Sequence, residues 1–118
     1  DSGDPNVTLY GDGTNLIDHL YVDDTVGALI KIISSGKGSV TVDLCTGQSI
    51  SLKELVERIA KVYGITPKIT YAGQAAAKIY FKGDPKKAKE IFGFSPSISI
   101  EEGVMRWQEF KSRNGGKY

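Results

Sequence analysis

Between Gly11 and Asp24 the chain reads GDGTNLIDHLYVDD, so a glycine turn, a short strand of mixed polarity and an acidic helix start follow one another without a linker. Gly11 and Gly13 can take the positive φ values that a tight turn requires, so the β-branched and aromatic run Val7–Tyr10 is expected to pair antiparallel with Leu16–Val22. Asp23 is expected to accept the orphan amides of a helix running through Val26, Leu29, Ile30 and Ile33, which Ser34-Ser35-Gly36-Lys37-Gly38 then stops.

The second half carries stronger helix signals. Ser51 with Glu54, and Ser99 with Glu102, each match the capping box S/T-x-x-E. After Ser51, Leu52, Leu55, Val56, Ile59, Val62 and Tyr63 recur at helical spacing, and Gly64 closes the helix. Asp84-Pro85 predicts a short helix with proline at its first position, ended by Gly93. The last helix is expected to turn Ile100, Val104, Trp107 and Phe110 inward, and residues 114–118 form a frayed tail. Ser39–Cys45 alternates Val40, Val42 and Leu44 with Thr41 and Asp43, which reads as a strand. With the helix after Ser51 and a brief strand at Lys68–Tyr71, it has the length of a parallel β-α-β unit. The expected class is therefore α/β, with small mixed sheet pieces and about four helices, in one domain spanning residues 1–118.

Composition narrows the function classes. At 40% hydrophobic and 25% charged residues the chain is neither disordered nor membrane-spanning in character, and it has no apolar run of about 18 residues. One cysteine, Cys45, cannot form an internal disulfide, and without a signal-like segment the expected setting is reducing and cytoplasmic. Residues 1–50 carry seven acids against two lysines, whereas 51–118 carry seven acids against thirteen basic residues. The lysines at 78, 82, 86, 87 and 89 could attract phosphate or nucleic acid, but no aromatic or arginine-rich motif accompanies them, and a solvated helix face is the expected role. His19 stands without a second histidine or clustered cysteine, so no metal site is expected. No G-x-G-x-x-G is present to cradle a dinucleotide, and no tyrosine is followed four residues later by lysine. The chain begins at Asp1, from which a piece of a longer protein is expected.

Together with VDLCTGQSISLKEL at 42–55 and GDPKKAKEIFGFSPSISIEEGV at 83–104, the opening stretch resembles the carboxyl-terminal, substrate-side portion of the NAD-dependent sugar-nucleotide epimerases and dehydratases, the extended short-chain dehydrogenase/reductases. The resemblance implies that a missing amino-terminal Rossmann domain holds NAD and the Y-x-x-x-K pair, so these residues include no catalytic group and bind no cofactor themselves. It implies a nucleotide-sugar pocket in which Thr8 and Tyr10 meet the base, a stacked ring contributing ~1–3 kcal/mol. The family pattern R-D-[FY]-[IV]-H-V-x-D falls on Ile17 to Asp24, leaving Ile17 where an arginine clamps the diphosphate; Asp18 and Asp23 are expected to serve turns or caps. A second family arginine falls at Gln74 and the ribose-binding acid at Ala77, with Lys78 or Lys82 as replacement phosphate partners. Since a charged hydrogen bond is worth ~1.5–3 kcal/mol, two absent arginines imply binding weakened by two or more orders of magnitude, or lost. The expected partners are thus a nucleotide-sugar, and either the Rossmann domain in cis or a second copy through the former domain interface; nucleic acid is not expected. The competing expectation is a noncatalytic binding or interaction module that keeps the fold without the pocket.

Overall fold

A computed structural model of the chain describes residues 5–73 and 78–116. Its elements are β1 (Asn6–Tyr10), β2 (Leu16–Asp18), α1 (Val22–Ser34), β3 (Ser49–Ser51), α2 (Leu52–Val62), β4 (Lys68–Ala72), β5 (Tyr80–Phe81), α3 (Lys86–Phe92) and α4 (Ile100–Arg113). The α/β class with small mixed sheets and four helices stands, and the strand pairings need correction. β1 does not pair with β2: it runs parallel to β4, from Asn6 opposite Lys68 to Tyr10 opposite Ala72. β2 instead lies at the centre of a second sheet, antiparallel to β3 and parallel to β5. Ser39–Cys45 belongs to neither sheet, so the expected parallel pair with Lys68–Tyr71 is replaced by β1 and β4. Alternation marks a segment as able to form a strand; the partner is set by contacts distant in sequence.

The caps follow local chemistry. Ser51 Oγ accepts from Glu54 N at 3.0 Å, and Ser99 Oγ accepts from Glu102 N at 3.1 Å. Gly93 ends α3 in the left-handed region at φ 62°, where a side chain would be strained. Two expected caps move by one or two residues. α1 begins after Tyr21, with Asp23 and Asp24 in its first turn, where carboxylates favour the positive end of the helix dipole. Pro85 takes the cap position of α3, and Asp84 Oδ1 accepts from Lys86 N at 3.0 Å. At the other end, Gly116 N donates to Lys111 O at 2.9 Å, and residues 117 and 118 lie outside the described residues.

The core centres on two alanines and a phenylalanine. Ala28 of α1, Ala88 of α3 and Phe94 are enclosed, with Leu20, Val42 and Leu44 packed around them. Asp24 is buried beside it, its Oδ2 accepting from Ser97 N and Ile98 N and its Oδ1 from Ser97 Oγ, each at 3.0 Å. α4 presents Gly103 to the Tyr21 ring, where a Cβ would fall 2.6 Å from Cδ2. The expectation that Trp107 and Phe110 turn inward is corrected. Both are nearly half-exposed and stack on each other with centroids 5.9 Å apart. Cys45 is buried, which raises its thiol above the ordinary range and leaves it protonated and inert.

α2 and α4 are tied by Arg58, whose Nε and Nη2 donate to the two Glu101 oxygens at 2.6 and 2.9 Å. That fork holds the Glu101 carboxyl at about 2, so its contribution is complete above pH 4.5 and is lost as pH falls toward 2. Because both side chains are more than a third exposed, the pair is worth about 1 kcal/mol. Glu101→Gln is expected to lose that amount at neutral pH and to flatten the acid limb of a urea-unfolding series across this window.

The chain encloses little of itself. Its surface is 8316 Å², against about 6,300 Å² for a compact monomer of this mass. Its radius of gyration is 17.0 Å, against about 13–14 Å, and its extents are 49 × 39 × 20 Å. Among the described residues no large side chain is fully enclosed, and no helix is long and apolar enough to cross a membrane.

Candidate functional site

The glycine turn links both sheets to α2. Gly11 N donates to Ala72 O at 2.9 Å, extending the β1–β4 ladder into the turn. Asp12 Oδ1 then accepts from Thr14 N at 3.0 Å and Thr14 Oγ1 at 2.6 Å, which lowers the carboxyl below its usual range, with Lys78 adding to the effect. Gly13, at φ 73°, has no room for a side chain: a Cβ would lie 2.9 Å from the Tyr71 ring. Gly13 O and Asn15 O accept from Lys53 N and Leu52 N at 3.2 and 3.1 Å, joining the turn to the start of α2. Beside it opens a cleft of about 570 Å³ lined by Gly11, Asp12, Thr14, Lys53, Tyr71 and Gly73.

Thr8 and Tyr10 share one face of β1, opposite Thr70 and Ala72. Thr8 Oγ1 lies 3.1 Å from Thr70 Oγ1, and Tyr10 is 81% exposed. Leu9 and Tyr71 occupy the alternate face, so the exposed Tyr10 ring and the cleft lie on opposite sides of the β1–β4 pair. Lys78 is exposed and acts electrostatically on Asp12; Gln74 and Ala77 lie outside the described residues. Sequence reasoning passed over Lys53 and Tyr71. The signal for Tyr71 was its alternation with Thr70 in KITYA; Lys53 had none beyond following the Ser51 cap.

Ile17 sits between Ile50 of β3 and Phe81 of β5, an apolar row across the sheet. Asp18 holds a neighbouring turn, Oδ1 accepting from Thr46 N at 2.9 Å and Oδ2 from Gly47 N at 2.7 Å. Asp23 does not cap α1; it accepts from Arg106 Nη1 at 3.0 Å, tying α1 to α4. His19 lines a hollow of about 360 Å³ with Gln48, Arg58 and Ser97, and its buried Nε2 has no hydrogen-bond partner among the described residues. No group of three or more His, Cys, Asp or Glu side chains arranged to hold a metal occurs among the described residues. The sequence carries no G-x-G-x-x-G of the kind that cradles a pyrophosphate between a strand and a helix.

No family model matches the chain. It is 30% identical over 111 residues to the UDP-glucuronate 4-epimerase of Thermodesulfobacterium geofontis, covering 92% of this chain and 34% of that protein. Among solved structures, the UDP-glucose 4-epimerase of Thermotoga maritima with UDP-glucose superposes with a TM-score of 0.81 at 27% identity, covering 92% of this chain and 35% of that one. MoeE5 in complex with UDP-glucuronic acid and NAD gives 0.79 at 31% identity, covering 92% and 37%. The chain thus spans about a third of the length of the proteins it matches. In sequence and in fold it is similar to the carboxyl-terminal portion of the NAD-dependent sugar-nucleotide epimerases and dehydratases, the extended short-chain dehydrogenase/reductases.

Proposed function

We propose that residues 1–118 act as one substrate-side unit that binds a nucleotide-sugar for an NAD-dependent epimerase or dehydratase in a reducing, cytoplasmic setting. The unit orients the sugar while a separate cofactor-binding domain oxidises and reduces it, and it performs no turnover alone. The observation that carries this reading is the β1–β4 ladder running into the glycine turn, which puts the exposed Tyr10 ring and Thr8 on one face. Tyr10 supplies a stacking surface for the base, Thr8 a hydroxyl, and Lys78, with Gln74, polar contacts to the ribose and diphosphate. Equilibrium binding of UDP-, dTDP- and GDP-sugars to the isolated chain tests it. Tyr10→Ala is expected to weaken binding at least about fivefold, as loss of a stacked ring costs ~1–3 kcal/mol. Equal affinity of the variant and the parent would remove Tyr10 from the site.

The second reading, a noncatalytic interaction module, draws on the apolar row Ile50–Ile17–Phe81 at the position where the resemblance calls for an arginine. It predicts no nucleotide-sugar affinity and a stable monomer at high concentration.

A further inference from the structure

The connection between β4 and β5 is fastened at both ends by the glycine turn. At its start Gly11 N donates to Ala72 O at 2.9 Å, and at its end Leu16 N donates to Ile79 O at 2.9 Å. A side chain completes the second fastening: Asn15 Oδ1 accepts from Ile79 N at 3.0 Å. The backbone carbonyl of the same residue accepts from Leu52 N at 3.1 Å, so Asn15 sits where the turn, the start of α2 and the start of β5 meet.

Packing does little to hold that end. β5 is two residues long and pairs with β2 through Leu16 opposite Tyr80 and Ile17 opposite Phe81. Ile79, Tyr80 and Phe81 are 53–65% exposed, so apolar burial contributes little to fixing them. Ser49 Oγ, donating to Phe81 O at 2.7 Å, secures the far side of β5. The place of Lys78, one residue before the Asn15 bond, therefore depends on hydrogen bonds. Lys78 is exposed and acts electrostatically on Asp12 across the turn. An ammonium on a flexible four-carbon stem lacks the fork of a guanidinium, so its hold on a phosphate depends on where its backbone is anchored.

We propose that Asn15 is a positioning residue for the nucleotide-sugar site: its side-chain oxygen anchors Ile79 and so holds the Lys78 ammonium where it meets the diphosphate, without touching the ligand itself. This rests on the reading above that Lys78 contacts the diphosphate. Because Ile79 lies at the surface, water replaces the lost partner when the Asn15 oxygen is removed. The effect thus falls on the placing of Lys78 far more than on the stability of the chain.

Amide hydrogen exchange and equilibrium binding by the isolated chain test it. Asn15→Leu, similar in size but without an acceptor, is expected to speed exchange at Ile79 at least about tenfold while amides in the middle of α2 keep their rates, which separates local release from unfolding. Asn15→Asp keeps an acceptor oxygen and is expected to retain the parent's rate at Ile79. Affinity for UDP-glucuronic acid is expected to fall about fivefold in Asn15→Leu, while affinity for uridine, which has no diphosphate, stays level. In a Lys78→Gln background Asn15→Leu is expected to lose no further affinity, the coupling that a residue acting through Lys78 must show. Three results overturn the inference: parent-like exchange at Ile79 in Asn15→Leu, equal losses of uridine and UDP-glucuronic acid affinity, or an equal loss with and without Lys78. A parent chain that binds no UDP-glucuronic acid ends the substrate reading and this role with it; binding by the parent together with any of the three results ends this inference alone.

Discussion

Asp24→Ala is expected to destabilise the chain by about 2–4 kcal/mol, the largest loss from any single carboxylate. Asp24 is 8% exposed, and its two oxygens serve three donors from residues 97 and 98 across more than seventy residues of chain. A hydrogen bond to a charged group is worth about 1.5–3 kcal/mol; water recovers part of the loss at the exposed Ser97, and less at the half-buried Ile98 amide. Asp24→Asn, which keeps one acceptor oxygen and brings an amide hydrogen toward the same donors, is expected to lose about half as much. Urea unfolding reads both, and a lowered midpoint with an unchanged slope assigns the loss to the folded state. The same variant should loosen the Phe94–Ser99 segment and with it the start of α4.

The second large effect is a gain. Ile17→Arg is expected to raise affinity for UDP-sugars at least about tenfold, because a guanidinium brings a forked, charged donor set to a position that now offers only methyl groups. Free nucleoside, which has no diphosphate, should bind the variant and the parent equally. Ile17→Lys should recover less, as an ammonium lacks the fork, and Ile17→Leu should change nothing. If the arginine variant shows no preference for the diphosphate, position 17 lies away from it, and the apolar row with Ile50 and Phe81 serves packing alone.

What the sequence disclosed was mainly what neighbouring residues decide among themselves. Ser51 and Ser99 cap their helices through an amide three residues away, and Gly93 takes its left-handed turn from its own lack of a side chain. The pairing of β1 with β4 depends on residues more than sixty positions apart, which no turn signal at Gly11–Gly13 encodes. The adjacent acids show the same boundary: a helix-start reading of Asp23 and Asp24 is satisfied by the first turn of α1, yet one of them reaches Arg106 and the other the 97–98 backbone. Trp107 and Phe110 followed helical spacing correctly, but spacing gives a stripe without saying whether this chain supplies what covers it. At the site, Thr8 and Tyr10 share a face because strand alternation is local, whereas Lys53 reaches the cleft only through the hydrogen bond that ties α2 to Gly13.

The most direct test of the substrate-side assignment is a residue-resolved NMR titration of the isolated chain with UDP-glucuronic acid. Shifts gathered on Thr8 to Thr14 and on Lys78 are the predicted result. An unchanged spectrum at millimolar ligand, or shifts confined to the hollow around His19, Gln48 and Arg58, would contradict it.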